Sequence, residues 1–422
     1  MNADQIRSLQ PELAVLLERF RGCFEREATF AHCQRYVLGL MTDLKRKSVE
    51  PIALAAGVAV RTLQEFLSHF AWDEFRLRTM LQQRVADRQG SEQAIGVIDG
   101  SGHAKQGDKT PGVQRQWCGE TGKVYNCVVG QHLLYTDNDS KNPFSCMLAS
   151  DLYLPKEWDA DRRRCRAARI PDSVVYQPKW RIAIDQLAEV LSNGIRLAWV
   201  TFDEEYGNVP AFWFSLNALG QRGIGEVPSN FLCWPTYPSC HSRQGPHAAK
   251  RADNVCRYSP VFTEQGWYRM TVKQAIRGPV VWEVKTARVH LVDTTEFVSK
   301  PTDRQYGLIV ARHARTGEIK YFVSNASAKA TLKEMMTAAF ARWHVEKWFE
   351  RAKQECGFGA FEVRTYVSLI RHWLCSSLAM YFLTAQTQRL RGEKSADHLR
   401  ASGRGGQHPG LQRVEPLVAL AG

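Results

Sequence analysis

The chain has 422 residues, 44% of them hydrophobic and 23% charged, which is enough to build two or three domains with buried cores. Its formal net charge of +13 favours a polyanionic partner, with nucleic acid ahead of an anionic membrane surface. The sequence contains no run of 18 apolar residues, and it begins with a polar stretch. We therefore expect neither a membrane span nor a secretory signal. The eleven scattered cysteines, none of them in a CxxC motif, indicate a cytoplasmic protein with reduced thiols.

Residues 1–90 are predicted to form a helical domain. Apolar residues recur at helical spacing between positions 13 and 20. Further on, the Ala-rich stretch Ile52–Val58 contains a glycine and precedes a second helical stretch, Arg61–Leu67. This pattern is typical of a helix-turn-helix, in which Arg61 would contact DNA, but a plain helical packing module has the same pattern. Both interpretations remain open from the sequence.

Residues 91–224 are predicted to form the first part of an α/β core. The apolar run Ala94–Ile98 reads as a buried strand and ends at Asp99. A strand-rich stretch follows at 124–135, and a helix is predicted around residues 182–191. A second apolar strand, Ile195–Phe202, then ends at Asp203. Polar residues at strand ends are the usual functional positions of an α/β sheet.

The remainder of the chain divides into three predicted segments. Residues 225–330 contain many short β-like runs and read as a β-rich insertion. Residues 331–390 read as the helices that complete the core. Residues 391–422 are rich in Gly, Arg, Ser and His, and we expect a basic, flexible tail there.

The stretch 342–353 carries the third candidate carboxylate. On a helix, Arg342, Glu346 and Lys353 share one polar face. By itself such a face is most often a solvated set of ion pairs. An apolar face lies about a quarter-turn or more away and can dock on a core: Ala341, Val345, Trp348 and Ala352.

The three carboxylates Asp99, Asp203 and Glu346 are predicted to form one site. Two strand-end aspartates on neighbouring parallel strands can lie together at one sheet edge, and a helix packed on that sheet can add the glutamate. Such a cluster is repulsive without cations, so it predicts two bound Mg²⁺ ions, with Mn²⁺ as an alternative, for phosphodiester chemistry. Other carboxylates compete for these assignments: Glu204, Glu205, Glu350 and Glu355.

Several motifs in order resemble those of the DDE transposases of bacterial insertion sequences, whose catalytic domain is RNase H-like. Ile98–Gly107 is similar to the first-Asp motif, Phe202–Gly207 to the second, and Arg342-x3-Glu346-x6-Lys353 to the signature around the catalytic Glu. Other segments are similar to the family's hairpin and loop: Gly112–Gly119, Gly122–Cys127 and Leu152–Trp158. The family often has Tyr three residues before the Arg, where this chain has Ala339, which puts any role of that Tyr in doubt.

The resemblance implies roles for individual residues. Asp99, Asp203 and Glu346 would be catalytic and would bind the metal ions, while Arg342 and Lys353 would contact DNA phosphates. The DNA partners would be terminal inverted repeats and target DNA, handled by a homodimer in a synaptic complex associated with the nucleoid. The insertion would resemble that of hairpin-forming members, in which aromatic residues stack on an extruded base. The candidates, which also fit an ordinary β core, are Trp234, Trp267 and Trp282.

Other basic residues are less specific. Lys105 and Arg115 fit either DNA contacts or ordinary surface charges, and the basic run at 162–169 fits either a phosphate contact or a solvated face. Two other functions remain open: a DNA-binding regulator that has lost catalysis, and a simple RNase H-like nuclease. The complete carboxylate set argues against the regulator, and the insertion and helical N-terminal region argue against the nuclease.

Overall fold

The computed structural model describes residues 9–139, 141–239, 247–275, 278–293 and 300–402. The helices in these ranges are α1 (Leu9–Glu18), α2 (Glu27–Met41), α3 (Val49–Ala55), α4 (Val60–Ser68), α5 (Glu74–Gln89), α6 (Lys156–Ala160), α7 (Arg162–Ala167), α8 (Lys179–Ser192), α9 (Glu204–Gly207), α10 (Pro210–Ala218), α11 (Ala252–Tyr258), α12 (Pro260–Thr263), α13 (Leu332–Phe340), α14 (Trp343–Cys356) and α15 (Tyr366–Ser402). The strands are β1 (Ile95–Ala104), β2 (Gln114–Cys118), β3 (Lys123–Thr136), β4 (Ser145–Leu152), β5 (Trp199–Phe202), β6 (Gly223–Val227), β7 (Leu232–Trp234), β8 (Lys250–Arg251), β9 (Tyr268–Ala275), β10 (Gly278–Asp293), β11 (Lys300–His313) and β12 (Ile319–Ser324).

Within the described ranges, twelve strands form one mixed sheet. Its order is β2-β3-β1-β5-β6-β12-β11-β10-β7-β8, with β4 paired to β3 and β9 paired to β10. β3 runs antiparallel to β1, whereas β5 runs parallel to β1 and β6 parallel to β5. Short apolar runs such as 95–98 and 199–202 form the central strands because both of their faces are covered. The predicted fold class, an α/β protein with an RNase H-like core, a β-rich insertion and helices at the N-terminal end, is confirmed.

The strands that follow β6 extend the same sheet. β12 pairs antiparallel with β6 from Ile224↔Ser324 to Tyr321↔Val227, and β11 pairs with β12 along its length. β6 also pairs with β5 on its other side. The β-rich segment is therefore joined by backbone hydrogen bonds to the strand that precedes Asp203.

A buried arginine on the long helix α15 anchors the N-terminal helices. The Arg371 guanidinium donates hydrogen bonds to the carbonyl oxygens of Phe70 and Trp72, both at 2.9 Å, and forms an ion pair with Glu74 at 2.9 Å. One residue further along α15, His372 Nδ1 lies 2.8 Å from the Tyr36 hydroxyl in the core. The N-terminal helices are thus packed on the helix that covers the sheet.

The segment that resembles a helix-turn-helix contains two short helices, α3 and α4. Gly57 lies between them with φ +64°, a conformation that glycine adopts without strain. α4 buries Leu63, Phe66 and Leu67, so its opposite face is available to solvent. Arg61 lies on that face, 84% exposed, in an ion pair with Glu65 at 2.9 Å.

The C-terminal helix is longer than the sequence indicated. α15 extends to Ser402, so residues 391–402 belong to it rather than to the flexible tail predicted for 391–422. The reason is composition: seven of these twelve residues are good helix formers (Arg, Glu, Lys, Ala or Leu), and the stretch contains no proline. Residues 403–422 lie outside the described ranges.

Candidate active site

Asp99 and Asp203 occupy matching positions on the neighbouring parallel strands β1 and β5. Ile95 pairs with Trp199 and Val97 with Thr201, and the same register carried two residues further brings Asp99 level with Asp203. Asp203 follows the last residue of β5, and its Oδ1 accepts a hydrogen bond from the backbone N–H of Glu205 at 3.0 Å as the cap of α9. The two carboxylates therefore lie side by side where β5 ends. Asp203 follows its strand as predicted, whereas β1 continues past Asp99 to Ala104 because it stays paired with β3, so the prediction that this strand ends at Asp99 is wrong.

Burial and mutual repulsion perturb both aspartates. Burial, followed by the charge of Asp203, raises the pKa of Asp99 to about 7, although Arg342 and the N–H of Gly100, at 2.8 Å, oppose the rise. Burial and the charge of Glu205 raise the pKa of Asp203 as well. Two carboxylates held in this way stabilise any cation that enters between them.

The third carboxylate reaches this pair through helix α14. The predicted apolar face of the helix is buried, and this packing orients its polar face towards β1. Arg342, which precedes the first residue of α14, lies between two carboxylates: its Nη2 is 2.7 Å from Glu346 and its Nη1 is 3.7 Å from Asp99. The Glu346 side chain is 58% exposed and meets Arg342 rather than the aspartates. Arg342, predicted as a phosphate contact, is thus engaged by the carboxylates.

Three of the four competing carboxylates form ion pairs, among them Glu355 with Arg351 at 3.1 Å. Glu205 forms an ion pair with Lys179 at 2.8 Å. Glu350 pairs with Lys347 at 2.7 Å, one turn beyond Glu346. Glu204 is exposed next to Asp203. Lys179 opposes the rise in the pKa of Asp203, and it was not singled out from the sequence because it enters the site from a separate helix, α8.

Lys353 lies on the same side of α14 as Glu346, two turns further on. Its Nζ is 3.4 Å from the carbonyl oxygen of Gly102 in β1 and 4.0 Å from a carboxylate oxygen of Glu120, at the tip of the β2–β3 hairpin. The lysine therefore joins α14 to the strand that carries Asp99. Its predicted contact with DNA phosphates remains a prediction.

Lys105 is more enclosed than a simple surface cation. Its ammonium donates hydrogen bonds to the carbonyl oxygens of Gly359 at 3.0 Å and Phe361 at 2.7 Å, and lies 3.5 Å from the centre of the Phe361 ring. Burial lowers the pKa of this lysine to about 8. Arg115, by contrast, is exposed on β2. Whether either residue contacts DNA remains a prediction.

The basic run after α6 is partly structural. Arg162 donates hydrogen bonds to the carbonyl oxygens of Val174 and Pro171, and the Arg164 guanidinium stacks 3.7 Å from the ring centre of Trp158. These two arginines stabilise the loop, so fewer arginines of the basic run remain available to bind a phosphate.

The tryptophans proposed for base stacking differ in exposure. Trp234 and Trp282 are buried in the sheet, so they belong to the ordinary core. Trp267 is 38% exposed, with the Arg312 guanidinium 4.4 Å from its ring centre. The most exposed tryptophan found is Trp117 on β2, at 65%, which the sequence did not single out because strand alternation alone does not say which face is covered.

The donor set fits a hard divalent cation, although the side chains are not arranged around one. Asp99, Asp203 and Glu346 supply oxygen ligands of the kind that Mg²⁺ prefers, and burial together with neighbouring carboxylates raises the pKa values of the two aspartates. Among the described residues, no group of three His, Cys, Asp or Glu side chains is close enough together to hold a metal ion. Arg342 supplies the positive charge between Asp99 and Glu346 instead.

Comparisons with known proteins identify the family of this chain. The family model described as "DDE superfamily endonuclease" matches residues 19–279, a range that includes Asp99 and Asp203 and ends before Glu346. The chain is also 27% identical over 284 residues to a protein of Microchaete diplosiphon named "Probable transposase for insertion sequence element IS701", over 66% of this chain and 68% of that protein. No helix in the described ranges is long and apolar enough to cross a membrane. The match extends over more than half of the chain, and the protein belongs to the DDE superfamily endonucleases.

Proposed function

We propose that this protein is an insertion-sequence transposase. It cleaves DNA strands at the ends of the element and joins the freed 3′-hydroxyl to target DNA. The observation that carries the proposal is the meeting of Asp99 and Asp203 on adjacent strands, with Glu346 joined to Asp99 through Arg342. The relative from Microchaete diplosiphon, named as a transposase, supports it.

Asp99, Asp203 and Glu346 would hold two Mg²⁺ ions, and Mn²⁺ would serve in their place. When bound, such ions activate the attacking hydroxyl or water and stabilise the leaving oxygen of the phosphodiester. The ion pair between Arg342 and Glu346 breaks when that carboxylate turns towards the aspartates. The Arg342 guanidinium then becomes available to bind a phosphate.

The remaining parts would bind the substrate. We assign residues 1–90 to a helical DNA-binding domain in which α4 presents Arg61, residues 91–224 and 331–390 to the catalytic core, and residues 225–330 to the insertion. The DNA partners are the terminal inverted repeats and the target, held by a homodimer. The excess of basic residues supports a phosphate-rich partner.

The test uses a supercoiled plasmid that carries the DNA flanking the gene on both sides. With Mg²⁺, the wild-type protein should cut at the ends of the element and join them to a second DNA. We expect Asp99→Asn, Asp203→Asn and Glu346→Gln each to lower the cleavage rate by at least about 100-fold. The matched controls Glu204→Gln and Glu350→Gln should cleave like the wild type. Cleavage without joining would identify a nuclease, and binding without cleavage a regulator.

A further inference from the structure

A basic cavity of about 660 Å³ lies beyond the end of β1. Three segments that are distant in sequence form its walls: residues 44–48 between α2 and α3, residues 104–110 after β1, and residues 353–364 from the end of α14 onwards. Asp99, Asp203 and Glu346 are not among its lining residues, so the cavity adjoins the carboxylate site and shares with it only the predicted DNA contacts Lys105 and Lys353.

The charge of the lining is strongly one-sided. Seven basic side chains line the cavity, from Lys45–Lys47, Lys105, Lys109, Lys353 and Arg364, against the two carboxylates of Asp108 and Glu362. Because cations outnumber carboxylates to this extent, the cavity attracts anions and does not suit a cationic or apolar ligand.

Some of these cations build the wall and others face solvent. Lys47 is buried and donates a hydrogen bond to the Glu355 carbonyl, whereas Arg46 is exposed and forms an ion pair with Glu362. Lys45, Lys109 and Arg364 are also exposed at the rim, with Lys109 Nζ 3.4 Å from the carboxylate of Asp108. The enclosed lysines set the positive potential, while the exposed ones are placed to contact a ligand.

Close backbone packing holds the walls together. Gly357 has φ +60°, and a Cβ atom there would lie 2.6 Å from the Cβ of Lys47. A Cβ atom at Gly359 would lie 3.1 Å from Nδ1 of His103, in β1. The three segments are therefore pressed against one another.

The position of the cavity relative to the carboxylates suggests what fills it. Asp99 and the lining residue Ala104 lie on the same strand, about 17 Å apart at the rise of an extended chain. Lys353 lines the cavity from the helix that also carries Glu346. A duplex rises about 3.4 Å per base pair, so for a duplex whose axis runs along β1 this separation corresponds to about five base pairs.

We propose that this cavity grips the DNA backbone about five base pairs from the phosphate that is cleaved, an inference that rests on the proposed function. The contacts are to phosphates, because Phe361 is buried beneath Lys105 and presents no open ring on which a base could stack. The grip is therefore independent of sequence. It fixes how far the duplex enters the active site.

The test compares the salt dependence of duplex binding for two triple variants. Lys45→Ala, Lys109→Ala and Arg364→Ala are combined in one protein. Arg19→Ala, Arg88→Ala and Arg196→Ala, at exposed basic residues outside the cavity lining, are combined in the control. Removing three phosphate contacts should reduce the slope of log K against log salt concentration by about 3, equally for any DNA sequence. The control should keep the wild-type slope, and both proteins should keep the wild-type unfolding midpoint.

Shortened duplexes then test the position. Trimming the DNA on one side to about two base pairs from the cleavage point should abolish the difference between the cavity variant and the wild type. Three results would each overturn the proposal. The cavity variant could keep the wild-type slope, or its slope could change by the same amount as that of the control. Its difference from the wild type could also survive trimming on either side. If the wild type cleaves at the element ends in any of these cases, the transposase function still stands. A wild type that neither binds nor cleaves DNA would remove both.

Discussion

Asp99 lies level with Asp203 because β1 and β5 pair in parallel with Ile95 opposite Trp199. The two aspartates are separated by the same number of residues as Ile95 and Trp199, so strand pairing alone brings the carboxylates together. The repulsion that results is built into the sheet itself. The Arg342 guanidinium reduces the repulsion between the aspartates on the side of Asp99, and the metal-free site depends on that positive charge.

We expect Arg342→Ala to make the protein dependent on a divalent cation for stability. Removing a partly buried cation from two carboxylates should cost about 1–2 kcal/mol, or a few degrees in the unfolding midpoint, when EDTA is present. Added Mg²⁺ should raise the midpoint of the variant by more than that of the wild type, because the ion restores the lost charge. Thermal unfolding with and without Mg²⁺ measures both.

The control for this change is Arg61→Ala, which removes an ion pair of the same spacing whose arginine is 84% exposed. It should change the midpoint little, and by the same amount with and without Mg²⁺. An equal Mg²⁺ effect on Arg342→Ala and the wild type would mean that Arg342 does not substitute for the ion.

The raised pKa of Asp99 predicts the direction of a pH effect. The ordinary value is 3.8 and the value in the folded protein about 7, so between these pH values the folded state binds more protons than the unfolded state. Stability of the metal-free protein should therefore fall as the pH rises from about 4 to about 7. Asp99→Asn should flatten that part of the profile, as measured by urea unfolding in EDTA. Asp185→Asn, at an exposed aspartate paired with Arg181, should leave it as steep as in the wild type.

The insertion tryptophans should separate into two kinds. Trp282→Ala should lower the free energy of unfolding by about 3–5 kcal/mol, because the ring is buried and packs 5.1 Å from the Phe340 ring. Trp267→Ala should have a much smaller effect, since part of that ring faces solvent. If Trp267 stacks on a base, its replacement should still weaken DNA binding, by about 1–3 kcal/mol. Unchanged binding would remove it as a stacking residue.

Arg371→Ala should release the N-terminal helices. The substitution leaves Glu74 and the carbonyl oxygens of Phe70 and Trp72 buried without their donor, at a cost of about 3–5 kcal/mol. Limited proteolysis should then cut near residues 90–94, between α5 and β1, faster than in the wild type. Arg88→Ala, at an exposed position on α5, should be cut at the wild-type rate; if Arg371→Ala matches it, the anchor is elsewhere.

Features encoded locally could be predicted from the sequence, and features that depend on distant segments could not. An apolar run that ends in an aspartate located Asp99 and Asp203, and the helical spacing of 342–353 located the buried face of α14. The sequence does not say which carboxylate Arg342 meets, because that depends on how α14 crosses β1. The basic cavity could not be predicted for the same reason, because its walls come from segments about 300 residues apart.

The continuity of the sheet from β5 through β6 to β12 has a mechanical consequence. Within the described ranges, strand pairing is continuous from the strand that precedes Asp203 through β6 to β12 and β11, so we expect these strands to move together. A duplex that bound at both places would then meet them at a fixed angle. The adjustment needed to bring a phosphate to the carboxylates then falls on the DNA, whose resistance to bending depends on its sequence.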